Sequence, residues 1–381
     1  MFSEFIFWTS FSIIFYHYVI FILIIFILSE LKRKMPLKGN ALPSVSILIA
    51  AYNEEKVIET KILNSLALDY PKDKIEIIVI ADGSSDQTQS IVKKYESENV
   101  IGLFETERRG KSMAINRGVN KAKGDVLFFT DANTILDRSC LKMLVRNFSD
   151  ELVGGVCGKK IIRNDSNRRS ASLGDQTFWQ FESNLKLRES QIDSIPTGDG
   201  EVFAIRRRLF EVIPEGIIND DSAITFDIVK KGFRVVYEPE AISTEEASIT
   251  LEDDFNVKAR MVYGGLQIIK RYKNFLKRYK RFFVFQFFSH KVLRYSMPIF
   301  LVLILISNAF LTGAFYWTFF VLQLLFYVCA MIGFNQHKRG IRNAIFYYPM
   351  YYCMVNLAAL TGILYFFQNK PINKIWTKAV R

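Results

Sequence analysis

Histidine is scarce in this 381-residue chain: there are three, His17, His290 and His337, each in or beside a long apolar stretch. The polar middle of the sequence has none. A catalytic base or metal ligand there must be a carboxylate, which excludes Ser-His-Asp hydrolysis and most zinc chemistry. Cysteine is sparse too. Cys140, Cys157, Cys329 and Cys353 stand alone without paired spacing, which argues against a disulfide framework or zinc site and suits a reducing compartment. Internal repeats are absent, and so is low-complexity sequence apart from one basic run. Acidic residues are missing from the apolar stretches, where a transporter would be expected to carry them.

What is present first is hydrophobic length. Residues 5–28, "FIFWTSFSIIFYHYVIFILIIFIL", carry no formal charge apart from a proton on His17. They are long enough for a helix across a hydrocarbon core of roughly 30 Å. A signal peptide would have a shorter apolar region and a small-residue cleavage site, so residues 1–30 read as a retained anchor. Lys32, Arg33, Lys34 and Lys38 follow at once, in a linker over 31–43, and place that side in the cytoplasm. Residues 296–368 hold about three more spans, at 296–311, 317–334 and 344–367. The connector "NQHKRGIRN", with Lys338, Arg339 and Arg342, also reads as cytoplasmic. Four crossings then leave residues 30–295 inside the cell, as a domain of an integral plasma- or inner-membrane protein. The same topology puts Lys370, Lys374, Lys378 and Arg381 of the 369–381 tail outside, against the usual bias, unless one segment is re-entrant.

The net charge of +12 is concentrated rather than spread. "KRYKNFLKRYKR", residues 270–281, precedes an aromatic stretch with His290, Lys291 and Arg294. Nothing else resembles a nucleic-acid module, so nucleic acid is not an expected partner. Residues 268–295 read instead as basic juxtamembrane and interfacial helices pressed on anionic lipid.

Between the apolar ends, strands and helices alternate. "VSILIAAY" (45–52), "IEIIVIADGSSD" (75–86), "VIGLFET" (100–106) and 125–130 of "GDVLFFTDAN" read as buried strands. The first two are followed by helical patterns, with Ser84 or Ser85 as an N-cap of the second helix. "GKSMAINRGVNKAKG" is also helical. Apolar runs rather than polar alternation indicate parallel strands covered on both faces. In such α/β sheets ligands bind beyond the carboxyl ends of the strands. Asn53 and Glu54 follow the first strand, Asp82 the second and Asp131 the fourth, so residues remote in sequence converge on one edge. Each alone is as easily a turn former. Together, with two carboxylates and no histidine, they suggest a nucleotide and metal site. "RGKS" at 109–112 is not a phosphate loop, because the required glycine five residues before Gly110 is Glu105. Lys111 at a helix start can still neutralise a diphosphate, or simply be solvated there.

In order and spacing, "SILIAAYNEE", "IIVIADGSSD", "GKSMAINRG", "GDVLFFTDAN", "TGDGEVFAIRRRLF", "INDDSAITFDIVKKGFRVVYEPEA" and "VKARMVYGGLQ" resemble family 2 glycosyltransferases of the GT-A fold. The likeness runs over about residues 43–267. It is closest to membrane polysaccharide synthases of the hyaluronan, chitin and poly-N-acetylglucosamine type. The resemblance implies a cytoplasmic domain over 44–267 with an α/β, Rossmann-like mixed sheet, accompanied by transmembrane helices. It implies a nucleotide-sugar donor, a UDP-sugar above all, and a glycan or lipid-linked acceptor. It also implies a divalent metal, Mg²⁺ or Mn²⁺, and direct displacement with inversion. Position by position, Asp82 resembles the aspartate that binds the base, and Asp131 the metal-binding first aspartate of the DxD element. Asp221, eleven residues before Gly232, resembles the general base, with Asp220 in the glutamate position beside it. Arg260 matches the arginine of the QxxRW element. Asn53, Glu54 and Lys111 join the donor set. Without the other motifs, Asp220–Asp221 would read as acids favouring a helix N-terminus.

The departures are specific. Asn133 stands in place of the second DxD aspartate, and Val257 and Met261 in place of the glutamine and tryptophan of QxxRW. That tryptophan helps hold the acceptor in processive members, so single transfer to a membrane lipid stands as the alternative to polymer synthesis. Asn133, Asp199, Asp220 and Trp179 are the candidates for supporting or acceptor contacts, although aromatics such as Trp179 and Phe181 also suit plain helix packing. A sugar-phosphate nucleotidyltransferase would need a Gly-rich loop after the first strand, where "AAYNEE" stands. A non-catalytic transporter or glycan-binding protein is the remote alternative.

Overall fold

The computed structural model describes residues 1–381 except 98, 164–168, 247–249, 279–280, 342 and 376–381. Arg342, Lys378 and Arg381 of the topology argument, and Lys280 of the basic run, therefore lie outside the described residues.

Eight strands form one mixed sheet: β1 (Val45–Ala51), β2 (Ile75–Asp82), β3 (Val100–Glu105), β4 (Val126–Asp131), β5 (Ile135–Leu136), β6 (Val153–Arg163), β7 (Phe203–Arg206) and β8 (Arg234–Glu246). Their order is β3-β2-β1-β4-β7-β6-β8-β5. The first four are parallel, with Ile47 opposite both Ile77 and Phe128. This is the part that the apolar runs of the sequence indicate. β7 then runs antiparallel to both β4 and β6, and β5 antiparallel to β8, while β6 and β8 are parallel. The sheet is thus mixed.

Because successive side chains leave a strand on opposite faces, the apolar runs feed two cores. Ile47, Ile49, Ile77, Val79 and Phe128 pack on the face that holds Ile58 and Ile62 of helix Ile58–Leu66. Leu48, Ile78, Ile80, Leu127 and Phe129 pack on the other, with Ala114 and Ile115 of helix Lys111–Lys121 and Phe226 of helix Asp220–Lys230. Strands buried on both faces explain why they read as continuous hydrophobic runs. The Ser84/Ser85 cap is not what forms. The second helix is Thr88–Lys94, and Asp86 Oδ1 accepts from the Thr88 amide at 3.0 Å, while Ser84 and Ser85 tie to Asn53. A carboxylate two residues before the helix satisfies the terminal amide and frees the serines.

Among the described residues, four helices are long and apolar enough to cross a membrane: Phe2–Leu31, Phe282–Asn308, Ala314–Lys338 and Ala344–Phe367. The stretch read as interfacial and the following span form one continuous helix, Phe282–Asn308, with a π-helical turn at Phe288–Val292. A second π-helical turn, Tyr16–Ile20, lies in the first helix. The two turns meet: Tyr16 Oη and Ser289 Oγ are 2.8 Å apart, and His17 Nδ1 lies 2.8 Å from the Ser289 carbonyl.

Helix Leu251–Arg271 joins this bundle to the sheet. Its Gly264 and Gly265 are places where a Cβ would collide, with Asn219 and with Tyr295 respectively. The missing side chains let the start of helix Asp220–Lys230 and the membrane-length helix Phe282–Asn308 sit directly against it. Asn219 Nδ2 donates to the Met261 carbonyl at 3.0 Å.

Candidate active site

β1, β2 and β4 are parallel neighbours, so their carboxyl ends share one edge of the sheet. A cleft of about 1440 Å³ opens there. Every sequence-named site residue except Asn53 lines it: Glu54, Asp82, Lys111, Asp131, Asn133, Trp179, Asp199, Asp220, Asp221 and Arg260. Asn53 instead has left-handed backbone (φ 54°), which asparagine tolerates, and accepts from the Ser85 amide at 2.8 Å. It staples the loop after β1 to the loop after β2.

Asp82 is buried and committed to the chain itself. Its Oδ2 accepts from the amides of Arg109 (3.0 Å) and Gly110 (2.7 Å), and Oδ1 pairs with Arg117. Gly110, at φ +90°, allows the turn that aims those amides and starts helix Lys111–Lys121. Lys111 is thereby delivered into the cleft, with Nζ 2.7 Å from Asp131 Oδ1 and 4.0 Å from Asp220 Oδ2. Burial works against its charge, but Asp131 and Asp220 outweigh it and hold the ammonium above the ordinary lysine range.

Asp131 ends β4, and a buried lysine props up the turn beneath it. Lys61 Nζ donates to Thr130 Oγ1 at 2.7 Å, to the Thr134 carbonyl at 2.9 Å and to Thr134 Oγ1 at 3.0 Å. Burial pushes Lys61 down to about 7, against the pull of Asp131.

Asp220 and Asp221 open helix Asp220–Lys230, with Asn219 as its N-cap residue. Asp221 Oδ1 accepts from the Ser222 amide at 2.6 Å. Burial, then the charges of Asp220 and Asp199, push Asp221 up to about 7, opposed by Lys111. Burial also raises Asp220. The two sequence readings of this pair therefore coexist: both acids sit at a helix N-terminus, and Asp221 has the affinity of a base working near neutral pH.

The far wall is a chain of charges. Lys160 on β6 pairs with Glu201 (2.7 Å) and Glu245, and its Nζ lies 4.6 Å from the Trp179 ring centroid. Asn133 Nδ2 donates to Glu245 Oε1 at 2.6 Å. Lys186 Nζ meets Asp199 Oδ1 at 2.5 Å. Sequence reading missed Lys61, Lys160, Glu201 and Glu245, along with Tyr52, which carries Arg108 on its ring at 4.0 Å. For Lys160 a signal existed: a lysine pair inside the otherwise apolar "VGGVCGKKII" needs buried partners.

Among the described residues no three His, Cys, Asp or Glu side chains gather as a metal cage. The donor atoms on this edge are oxygens: the Asp131 carboxylate, and the Asn133 amide, whose nitrogen is turned to Glu245. Such a set fits a hard divalent cation that takes its remaining ligands from a substrate phosphate and water.

Residues 46–213 match the sequence model of the family described as Glycosyl transferase family 2. Over that stretch the chain is similar to family 2 glycosyltransferases. It is 31% identical over 252 residues to a poly-beta-1,6-N-acetyl-D-glucosamine synthase of Staphylococcus aureus, a match covering 64% of this chain and 59% of the synthase. The chain thus aligns with about three fifths of that relative's length. A probable glycosyltransferase of Bacillus subtilis, YdaM, is 29% identical over 289 residues, covering 72% of this chain and 67% of that protein. Among solved structures, the mannosyltransferase PcManGT from Pyrobaculum calidifontis superposes with a TM-score of 0.72 at 20% identity. That match covers 96% of this chain and 99% of the other. At this identity the superposition establishes a shared fold, including the helices flanking the sheet.

Proposed function

We propose that the chain is a membrane-spanning inverting glycosyltransferase. It moves a sugar from a nucleotide-sugar, a UDP-sugar above all, to a hydroxyl of a glycan or lipid-linked acceptor in cell-envelope glycan synthesis. The observation that carries this reading is the cleft at the strand ends, where Lys111 bridges Asp131 and Asp220 beside Asp221. That is the charge pattern needed to expel a diphosphate on one side and deprotonate an alcohol on the other.

In the proposed reaction Asp221 takes the proton of the acceptor hydroxyl. The freed oxygen bonds to the anomeric carbon from the face opposite the diphosphate. The carbon–oxygen bond to the diphosphate breaks, and its electron pair leaves with the nucleotide. An α-linked donor therefore yields a β-linked product. Lys111 and Arg260 neutralise the departing charge, and Asp82 with the amides of Arg109 and Gly110 shapes the nucleotide end. Asp131, with Asn133 beside it, would hold Mg²⁺ or Mn²⁺, which as a Lewis acid stabilises charge on the diphosphate oxygens. The relatives support this reading: the Staphylococcus aureus protein is named for a polysaccharide, and PcManGT was solved with GDP-Man and Mn²⁺. The cations Lys32, Arg33, Lys34 and Lys38 after the first helix favour a cytoplasmic glycosyltransferase domain.

The test is direct. Membranes carrying the full chain are incubated with a panel of radiolabelled nucleotide sugars, with Mg²⁺, Mn²⁺ or chelator, and the product is sized. Metal-dependent transfer from one donor, abolished in Asp221→Asn, is the expected result. Transfer that persists at full rate in Asp221→Asn removes the base assignment, and no transfer from any donor overturns the reading.

A further inference from the structure

The cleft does not end at the glycosyltransferase domain. The same 1440 Å³ space that holds Asp131 and Asp221 runs on between membrane-length helices, where Phe21, Ile22, Phe326, Val355 and Ala359 line it. These five residues come from the first, third and fourth of those helices, and all are apolar. Tyr348, Tyr351, Tyr352 and Asn356 line it beside them, and the apolar part of the wall suits a hydrocarbon chain, which gains by leaving water. We infer that the acceptor is a membrane lipid, lodged with its chain between these helices and its head-group hydroxyl at Asp221.

Three observations carry this beyond the cleft's mere extent. The two π-helical turns, Tyr16–Ile20 and Phe288–Val292, lie against one another on this wall and turn His17, Tyr18, His290 and Lys291 onto the cleft. A π turn inserts a residue and swings the helix surface, a distortion concentrated at functional sites. Two of them on facing helices place polar groups at the boundary between the acidic and the apolar ends. There Lys291 and Arg294 (2.8 Å) share the carboxylate of Glu182, while His290 spans Glu182 and Glu189.

The second observation is the seam between the first and fourth helices at the cleft. Tyr18 and Tyr348 line the cleft and are 39% and 47% exposed. The Tyr18 and Tyr352 hydroxyls meet across the first and fourth helices at 3.0 Å. A lipid entering between the first and fourth helices would part this hydrogen bond.

The third is the close seat of the bundle on the base. Tyr295 packs on Gly265, one residue from the Gly264 that receives Asn219, the cap of the helix bearing Asp221. A head group held by helix Phe282–Asn308 is thereby brought to the base. Met261, where a processive relative would hold a sugar on tryptophan, lines the same space as a flexible apolar side chain.

This inference rests on the glycosyltransferase reading and is tested separately from it. The full chain in nanodiscs is given the labelled donor with total membrane lipid, with delipidated water-soluble glycan, or with neither. Donor binding is measured by calorimetry in each case. Label entering the organic phase, as a lipid carrying one added sugar, is the expected result. Val355→Trp, which fills the apolar end, should raise the KM for lipid at least tenfold, and Ile22→Trp from the opposing helix should do the same. Label appearing only in a water-soluble polymer, or an unchanged lipid KM in both folded, donor-binding variants, overturns the lipid acceptor while leaving the glycosyltransferase intact. Failure of the wild-type chain to bind any nucleotide-sugar overturns both.

Discussion

The two walls of the cleft are held by different forces. Along β1, β2 and β4 the polar side chains are fixed by main-chain groups close by. Asp82 grips the amides of Arg109 and Gly110, Asn53 that of Ser85, and the Glu54 amide is taken by Thr88 Oγ1 at 2.8 Å. Across the cleft the partners are charges from distant elements: Lys160 with Glu201 and Glu245, and Lys186 with Asp199. One wall is a set of turns with polar side chains, and the other is a buried ionic lattice. The first can keep its shape through many side-chain changes, because amides do not mutate. The second depends on complete pairing, since a buried charge without its partner is costly.

Asp221→Asn is the strongest break of this comparison. It should lower kcat by roughly 10²–10⁴-fold, the range for loss of a general base, with donor binding nearly intact by calorimetry. Asp131→Ala acts at the end of β4, on the strand-end wall: donor binding should lose its dependence on Mg²⁺ or Mn²⁺, and titrations with and without the metal should coincide.

The ionic wall is then set against the main-chain wall by stability. Lys160→Met leaves Glu201 and Glu245 without their cation and should cost about 3–5 kcal/mol in denaturant unfolding. Lys61→Met, beneath Asp131, removes three donated hydrogen bonds from Thr130 and Thr134, which can still bond to each other at 3.1 Å. Its cost should be smaller, about 1–3 kcal/mol. The reverse order would mean that the strand-end wall is the more charge-dependent of the two.

The smallest effect concerns pH. Since Asp221 is raised from 3.8 to about 7 by burial and by Asp220 and Asp199, kcat/KM should climb with pH and level off above about 7, where the carboxylate is ionised. The same shift bears on stability. A carboxyl raised in the folded state adds stability that is complete below its unfolded value and lost as pH rises through the folded value. Asp221→Asn should therefore raise the melting temperature more at pH 8 than at pH 5.

The four parallel strands, the convergence of Asp82, Lys111 and Asp131, and the helix start at Asp220–Asp221 were legible in the sequence. Each is written locally, as an apolar run ended by a polar turn. Asn133 shows where such reading stops. The sequence marks it as a missing aspartate, while in the fold its amide donates to Glu245, 112 positions away. Trp179 is similar: spacing allowed either packing or acceptor contact, and the Lys160 ammonium on its ring places it on the cleft.

Composition and pattern by themselves determined that the middle of the chain offers carboxylates and no histidine, that one end of the sheet gathers them, and that four helices are apolar enough for a bilayer. Those properties follow from residue type and short-range period. Only the tertiary structure decided that β6–β8 supply the ionic wall, that Gly264 and Gly265 seat helix Leu251–Arg271 against both Asn219 and Tyr295, and that one cavity joins Asp221 to the membrane-length helices. These are contacts across tens to hundreds of residues, set by how whole faces pack, and no local period encodes which faces will meet.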